Sequence, residues 1–250
     1  MSDLLVRDGA PRPKAWLAWS SGKDSAWALH TVREAGSFDV VALLTTVNRT
    51  HGRVAMHAVR ESLLEMQSAA AGLPLVKVPI PSPCSNEIYE RAMRVAMARA
   101  ADEGVRHVVF GDLFLQDVRA YREKQLARCE MTPVFPLWEI ETRLLAETMI
   151  AGGLRAYLTC VDPRKLERGF AGRRFDAVLL ADLPSSVDPC GENGEFHTFA
   201  CAGPMFGADV PVTVGEIVER EGFVFADLLP GSAARRSFGP EEAGTSTKEI

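Results

Sequence analysis

Ala15-Trp16-Leu17-Ala18-Trp19, followed at once by Ser20-Ser21-Gly22-Lys23-Asp24-Ser25, is the stretch on which the fold turns. A short apolar run gives way to a polar, glycine-containing loop. Beyond it Ala26, Leu29 and Val32 recur at helical spacing until Gly36 closes the pattern. The order is therefore strand, tight loop, helix.

Outward from this unit the same alternation repeats. Residues 40–47 form a second apolar strand, and the next helix carries Val59, Leu63, Met66 and Ala70 on one face before Gly72. Residues 75–80 are a strand, and Pro79, Pro81 and Pro83 lead into a helix with Ile88, Ala92, Val95 and Arg99 on one side, stopped by Gly104. Residues 105–110 are a fourth strand ending in Gly111-Asp112. Four near-continuously apolar strands alternating with helices predict βαβ units and a doubly wound parallel sheet covered on both faces. A helix over 116–129, a short strand near 133–136 and a helix over 141–151 extend this layer, and 154–161 is a further strand. Past Asp162, Gly, Pro and polar residues crowd in and clean alternation is lost. The expected organisation is an N-terminal extension (1–14), an α/β domain carrying the parallel sheet (15–137), a smaller α+β portion (138–230) and a flexible tail (231–250).

The 250 residues are 47% hydrophobic and 24% charged, with a formal net charge of −5, an ordinary globular composition. This length buries a substantial core without disulfides or structural metal. No apolar run approaches the roughly 18 residues of a membrane span, and the charged, proline-containing N-terminus lacks a signal-peptide core, so a cytoplasmic protein without membrane contact is expected. The acidic balance argues against a nucleic-acid partner. Cys84, Cys129, Cys160, Cys190 and Cys201 include no C-x-x-C pair, and His30, His51, His57 and His107 show no metal-ligand spacing.

Residues 20–25 sit where an open α/β sheet offers backbone N–H groups and a helix N-terminus to an anion. Ser20, Ser21 and Ser25 add hydroxyls, Gly22 allows close approach, and Lys23 or a cation held by Asp24 neutralises phosphate charge. The competing reading is an ordinary N-cap cluster. Leu17 and Asp24 stand where a Walker A loop needs glycine and Ser/Thr, and G-x-G-x-x-G is absent, so neither of those fingerprints applies. Asp112, at the end of the fourth strand beside the first, suits Mg²⁺ or a ribose, or else caps the following helix. His57 is a weak candidate for the adenine side. Trp16, Trp19 and Trp27 read as core or adenine-side packing rather than a base-stacking platform.

The loop resembles the S-G-G-x-D-S loop of the PP-loop, or N-type ATP pyrophosphatase, superfamily, with Ser21 in place of the first glycine. Far downstream, Asp188-Pro189-Cys190-Gly191-Glu192-Asn193-Gly194-Glu195-Phe196-His197-Thr198 contains G-E-N-G-E-F-H-T. That string is similar to the hallmark of the diphthine–ammonia ligase, or DUF71 ATP-binding, family. With Met56-His57-Ala58-Val59-Arg60, Gly111-Asp112 and Pro136-Leu137-Trp138, the resemblance spans residues 15–228. It implies an adenine nucleotide alpha hydrolase (HUP) type of sheet, ATP and Mg²⁺ as cofactors, and an AMP-forming carbon–nitrogen ligase.

On this resemblance Ser20, Ser21, Gly22, Lys23, Asp24, Ser25, Gly111 and Asp112 bind the nucleotide, with Asp24 and Asp112 toward the metal. Gly191, Glu192, Asn193, Gly194, Glu195 and His197 hold the second substrate. Lys23, Asp24, Glu192, Glu195 and His197 carry the chemistry: the acids bind or deprotonate an amine, and His197 donates or shuttles a proton. Among members of the family the acceptor is diphthine on elongation factor 2; here the expected partners are a small-molecule or protein carboxylate and ammonia or an amine, with a homodimer allowed. Two other readings stay open: a PP-loop enzyme that modifies tRNA, and a non-catalytic adenine-nucleotide-binding protein.

Overall fold

The computed structural model describes residues 11–48, 53–54 and 59–231. Met56, His57 and Ala58, His51, and the tail beyond Gly231 lie outside the described residues. Strand β1 (Lys14–Ala18) is buried through Ala15, Trp16 and Leu17 and runs into α1 (Lys23–Ala35). Gly36 ends α1 in the left-handed region at φ 61°, where its N–H bonds the carbonyls of Val32 and Arg33; glycine takes that conformation without the Cβ penalty.

The chain continues through β2 (Asp39–Asn48), β3 (Arg53–Val54), α2 (Glu61–Ala71), β4 (Leu75–Ile80), α3 (Asn86–Asp102), β5 (His107–Val109), α4 (Gln116–Ala127) and β6 (Thr132–Val134). Five of these strands are parallel, in the order β4-β2-β1-β5-β6, and β3 adds to β2 in the antiparallel sense. Chain order reverses at β1, whose neighbours are β2 and β5. The crevice beyond the carboxyl ends of β1 and β5 is therefore the switch point at which ligands bind in such sheets.

After α5 (Thr142–Ala151), β7 (Arg155–Val161) leaves the parallel layer. It joins β8 (Phe196–Ala202), β9 (Val212–Arg220) and β10 (Phe223–Pro230) in an antiparallel sheet ordered β8-β7-β10-β9. A 3-10 turn (Arg168–Phe170) and the short α6 (Ala177–Asp182) lie between β7 and β8. One hydrophobic core joins α1 and α2 to this second sheet, through residues such as Leu29, Leu63 and Phe199; a separate core packs α3 and α4 on the opposite face of the parallel sheet around Trp16 and Met97. Among the described residues no helix is long and apolar enough to cross a membrane.

Several expectations change. On α3 the buried residues are Ala96, Met97 and Ala100, whereas Val95 is 69% exposed and Ile88 43%. The helix offers two apolar stripes, and the one rich in alanine lies against the sheet, where small side chains let the backbones approach. Only residues 107–109 of the expected 105–110 strand pair as strand, and α4 stops at Ala127. Asp112 does not cap α4: the N-cap is Leu115, with no side-chain cap. Nor do the serines cap α1, whose N-cap is Gly22 without a side-chain hydrogen bond.

Candidate nucleotide and acceptor site

The loop after β1 is held closed by its own hydroxyls. Ser25 Oγ donates to the Gly22 carbonyl at 3.0 Å and accepts from the Ser20 amide at 3.3 Å, and the Ser20 and Ser25 hydroxyls are 3.1 Å apart. Ser21 is fully buried at φ 70°, and its Oγ has no hydrogen-bond partner. That backbone position suits the glycine found there in the S-G-G-x-D-S pattern. Gly111 serves the same loop from the end of β5: a Cβ there would lie 2.7 Å from the Asp24 carbonyl carbon and 2.8 Å from the Ser25 nitrogen. Its missing side chain is what brings the first turn of α1 against β5.

The second sheet fastens onto this loop. Thr198 Oγ1 accepts from the Lys23 amide at 3.0 Å, and the Ala200 amide donates to the Ser21 carbonyl at 2.9 Å. Gln67, wholly buried on α2, links all three parts: its Nε2 donates to the carbonyls of Ser21 (3.0 Å) and Ala200 (2.6 Å), and its Oε1 accepts from Trp19 Nε1 (2.9 Å).

Lys23 has its ammonium held between its own loop and the downstream string. Its side chain is 2% exposed; the ammonium bonds Asp24 Oδ2 at 2.9 Å and the Cys190 carbonyl, and lies 5.5 Å from the ring centroids of Phe175 and Phe196. Burial works against its charge, but Asp24 and its other acidic neighbours outweigh that and hold its pKa above the ordinary lysine value. Lys23 thus ties the loop to the downstream string. Asp24 has its pKa pushed up by burial against the pull of Lys23, and its Oδ1 lacks a hydrogen-bond partner.

The downstream string forms a turn around two carboxylates. Asp188 Oδ1 accepts from the amides of Cys190 (2.9 Å) and Glu192 (3.1 Å), and Oδ2 accepts from Thr142 Oγ1 at 2.6 Å. Glu195 Oε1 accepts from the Asp188 amide (3.1 Å) and Asn193 Nδ2 (3.3 Å). Gly191 and Gly194, at φ 71° and 81°, reverse the chain between them. The turn separates its two glutamates. Glu192 reaches across to the end of β5, where its Oε1 accepts from the Leu113 amide at 2.9 Å. Glu195, 3% exposed, stays behind the turn.

One cavity of about 680 Å³ opens over the carboxyl ends of the parallel strands, a size usual for small-molecule sites. Loop residues Ser20, Gly22, Lys23, Asp24 and Ser25 wall one side, and Gly111, Asp112, Gly191, Glu192, Gly194 and His197 also reach its surface. Ser21, Asn193 and Glu195 do not line it. Leu44, Ile80, Met93 and Phe110 supply an apolar wall, while Tyr89 and Arg122 close the side formed by α3 and α4.

Burial pushes the Glu192 carboxyl up to about 7, opposed by its hydrogen bond from Leu113 and aided by Asp24 and Asp112. Burial, with the charge on Lys23, pushes His197 down to about 4. At neutral pH the imidazole is uncharged and Glu192 is poised between its two forms. Asp112 is engaged by Arg122, whose Nη2 donates to Oδ1 at 3.0 Å and whose Nε donates to Oδ2.

Sequence reasoning passed over Gln67, Tyr89 and Arg122, and quoted Thr198 as the end of the downstream string without giving it a role. Gln67 had a signal: a polar side chain one turn after the buried Leu63 on the inner face of α2. Arg122 had none, because a charged residue on an amphipathic helix reads as solvated until the fold places it.

Residues 13–132 match the family model described as diphthamide synthase N-terminal domain, and residues 141–227 match diphthamide synthase C-terminal domain. The chain is similar to a diphthine–ammonia ligase of Bos taurus, 24% identical over 235 residues, covering 84% of this chain and 86% of the relative. A diphthine–ammonia ligase of Danio rerio is 25% identical over 237 residues, covering 84% and 90%. One of Schizosaccharomyces pombe is 31% identical over 87 residues, which span 33% of this chain and 14% of that longer relative.

Proposed function

This chain belongs to the diphthamide synthase family, and on that footing we propose that it is an ATP-dependent ligase that adenylates a carboxylate, releases pyrophosphate and forms an amide with ammonia or an amine. The observation that carries the reading is a shared wall: the 20–25 loop and the pair Glu192 and His197 bound the same cavity. Relatives named diphthine–ammonia ligase, matched over 84% of the chain, support this reaction class.

The cavity face of the 20–25 loop and the first turn of α1 receive the β and γ phosphates, since backbone N–H groups at a helix start favour an anion. The apolar wall of Leu44, Ile80, Met93 and Phe110 takes the adenine. Mg²⁺ would be held by Asp24, whose Oδ1 is without a hydrogen-bond partner in the protein. Asp112 fits less well because Arg122 engages both its oxygens, and among the described residues no three His, Cys, Asp or Glu side chains cluster to hold a metal by themselves. Mg²⁺ there would neutralise charge on the departing pyrophosphate.

A carboxylate oxygen of the acceptor forms the new bond to the α-phosphorus as the bond to the bridging oxygen breaks, and pyrophosphate leaves with that electron pair. The nitrogen nucleophile then attacks the acyl carbon, and AMP departs. Glu192, near its midpoint at neutral pH, takes the proton that the nitrogen loses as the C–N bond forms. Neutral His197 positions the nucleophile or the acyl group by hydrogen bonding. Glu195 shapes the turn.

The test is to incubate the purified protein with Mg·ATP and candidate carboxylate and amine pairs, and to identify the nucleotide product by chromatography. AMP with pyrophosphate is expected; ADP with orthophosphate as primary products would overturn the assignment. Asp24→Asn should lower turnover more than nucleotide affinity.

A further inference from the structure

The cavity is rich in acids. Asp24, Asp112 and Glu192 line it, yet its acceptor is read as a carboxylate, which those groups repel. Among the described residues on its surface the permanent cations are Lys23 and Arg122. Lys23 is committed to Asp24, the Cys190 carbonyl and two aromatic rings. Arg122, whose side chain is 29% exposed where that of Lys23 is 2%, is the cation that an anionic acceptor can reach.

We infer that Arg122 is the specificity-determining residue for the acceptor, binding its carboxylate group at the α3–α4 wall by exchanging the fork it holds on Asp112. Three features of the site carry this. The guanidinium lies 4.4 Å from the Phe110 ring centroid, which orients its plane at the cavity wall. Its fork already grips a carboxylate through Nε and Nη2, the geometry an acceptor would reproduce. Its place also suits the reaction: Arg122 and Tyr89 line the same cavity as the 20–25 loop, so an acceptor held there shares one chamber with the nucleotide phosphates. Asp112 then acts as a stand-in that keeps the fork in position and confines entry to groups that compete with a carboxylate.

The inference rests on the ligase reading, and the test separates the two. Full-length protein saturated with Mg²⁺ and α,β-methylene-ATP is titrated by calorimetry with succinate as a carboxylate probe and with tetramethylammonium as a cation control. Succinate should bind, Arg122→Gln should weaken it by about tenfold or more, and Arg122→Lys should fall between, because charge remains without the fork. Affinity for the nucleotide analogue should stay within about threefold in both variants, which also reports an intact fold. Should Arg122→Gln fail to fold, Asp112→Asn decides: releasing the fork should tighten succinate severalfold, and no change overturns the inference. Absence of succinate binding, equal binding to the wild type and Arg122→Gln, or a fall in nucleotide affinity with Arg122→Gln overturns it too and leaves the ligase reading standing. Failure of the wild-type protein to take up α,β-methylene-ATP overturns the ligase reading, and this inference with it.

Discussion

Thr198 Oγ1 accepts the Lys23 amide at 3.0 Å across 175 positions of sequence, so a strand of the antiparallel sheet satisfies the first backbone donor of the helix that follows the nucleotide loop. The two sheets meet at the site itself. Thr198→Val keeps the shape and removes the acceptor, leaving a buried N–H without a partner. A loss of about 1–3 kcal/mol in unfolding free energy is expected, with weaker binding of the ATP analogue. Thr198→Ser should restore both in denaturant melts and calorimetry.

Ser21 occupies the left-handed region with an unpartnered hydroxyl in a fully buried place. Ser21→Gly removes the Cβ contact that opposes this conformation and should stabilise the protein by about 1–2 kcal/mol. The measurement is thermal unfolding, where the midpoint should rise; a fall would mean that the Ser21 hydroxyl has a role the strain conceals.

Glu192 and His197 titrate in opposite senses on folding. Glu192 is raised from 4.5 to about 7, so the folded state holds its proton more tightly and stability declines as pH rises through that window. His197 is lowered from 6.5 to about 4, so the unfolded state takes the proton first and stability declines as pH falls through its window. The two slopes offset one another where the windows overlap. Glu192→Gln should uncover stability that climbs from pH 4 to 6.5, and His197→Asn stability that drops from pH 4.5 to 7, as read by urea melts across pH. Amide-forming turnover should rise through an apparent pKa near 7 in the wild type and lose that limb in Glu192→Gln.

Gly111 and Gly22 differ in what confronts an added methyl. At Gly111 it meets the backbone of Asp24 and Ser25 at 2.7–2.8 Å; at Gly22 it meets Ser20 Oγ and the Thr198 carbonyl at 3.3 Å. Gly111→Ala must push α1 away from β5, costing about 1–3 kcal/mol and most of the nucleotide affinity. Gly22→Ala should be milder on both counts, and Gly22→Val should damage binding by crowding Thr198 as well as the phosphates. Paired chemical melts and nucleotide titrations check the ranking.

Lys23→Met removes the cation from a buried pair and leaves Asp24 to be desolvated alone. A cost of about 3–5 kcal/mol is expected, smaller where Asp24 is protonated, so the variant should recover stability toward acid pH. A variant as stable as the wild type at neutral pH would show that Lys23 is not the tie between loop and turn.

What the sequence determined by itself was local. The alternation of apolar strands and helices, the glycine stops at Gly36 and Gly72, and the loop between strand and helix are legible because hydrophobic period and backbone freedom act over a few neighbouring residues. The string around Glu192 marked a site because its residue types and spacing are unusual. Tertiary structure alone decided the roles within it. Lys23 read locally as a phosphate ligand, and the fold adds to its neighbour Asp24 a carbonyl and two rings from beyond Asp162 as partners. Glu192 and Glu195 stand three positions apart and face opposite ways, because Gly191 and Gly194 reverse the chain and β8 anchors one end against the loop. Arg122 entered the site through helix packing across the switch point. Electrostatic and hydrogen-bond roles depend on which groups long-range packing brings within a few ångström, and no local pattern carries that information.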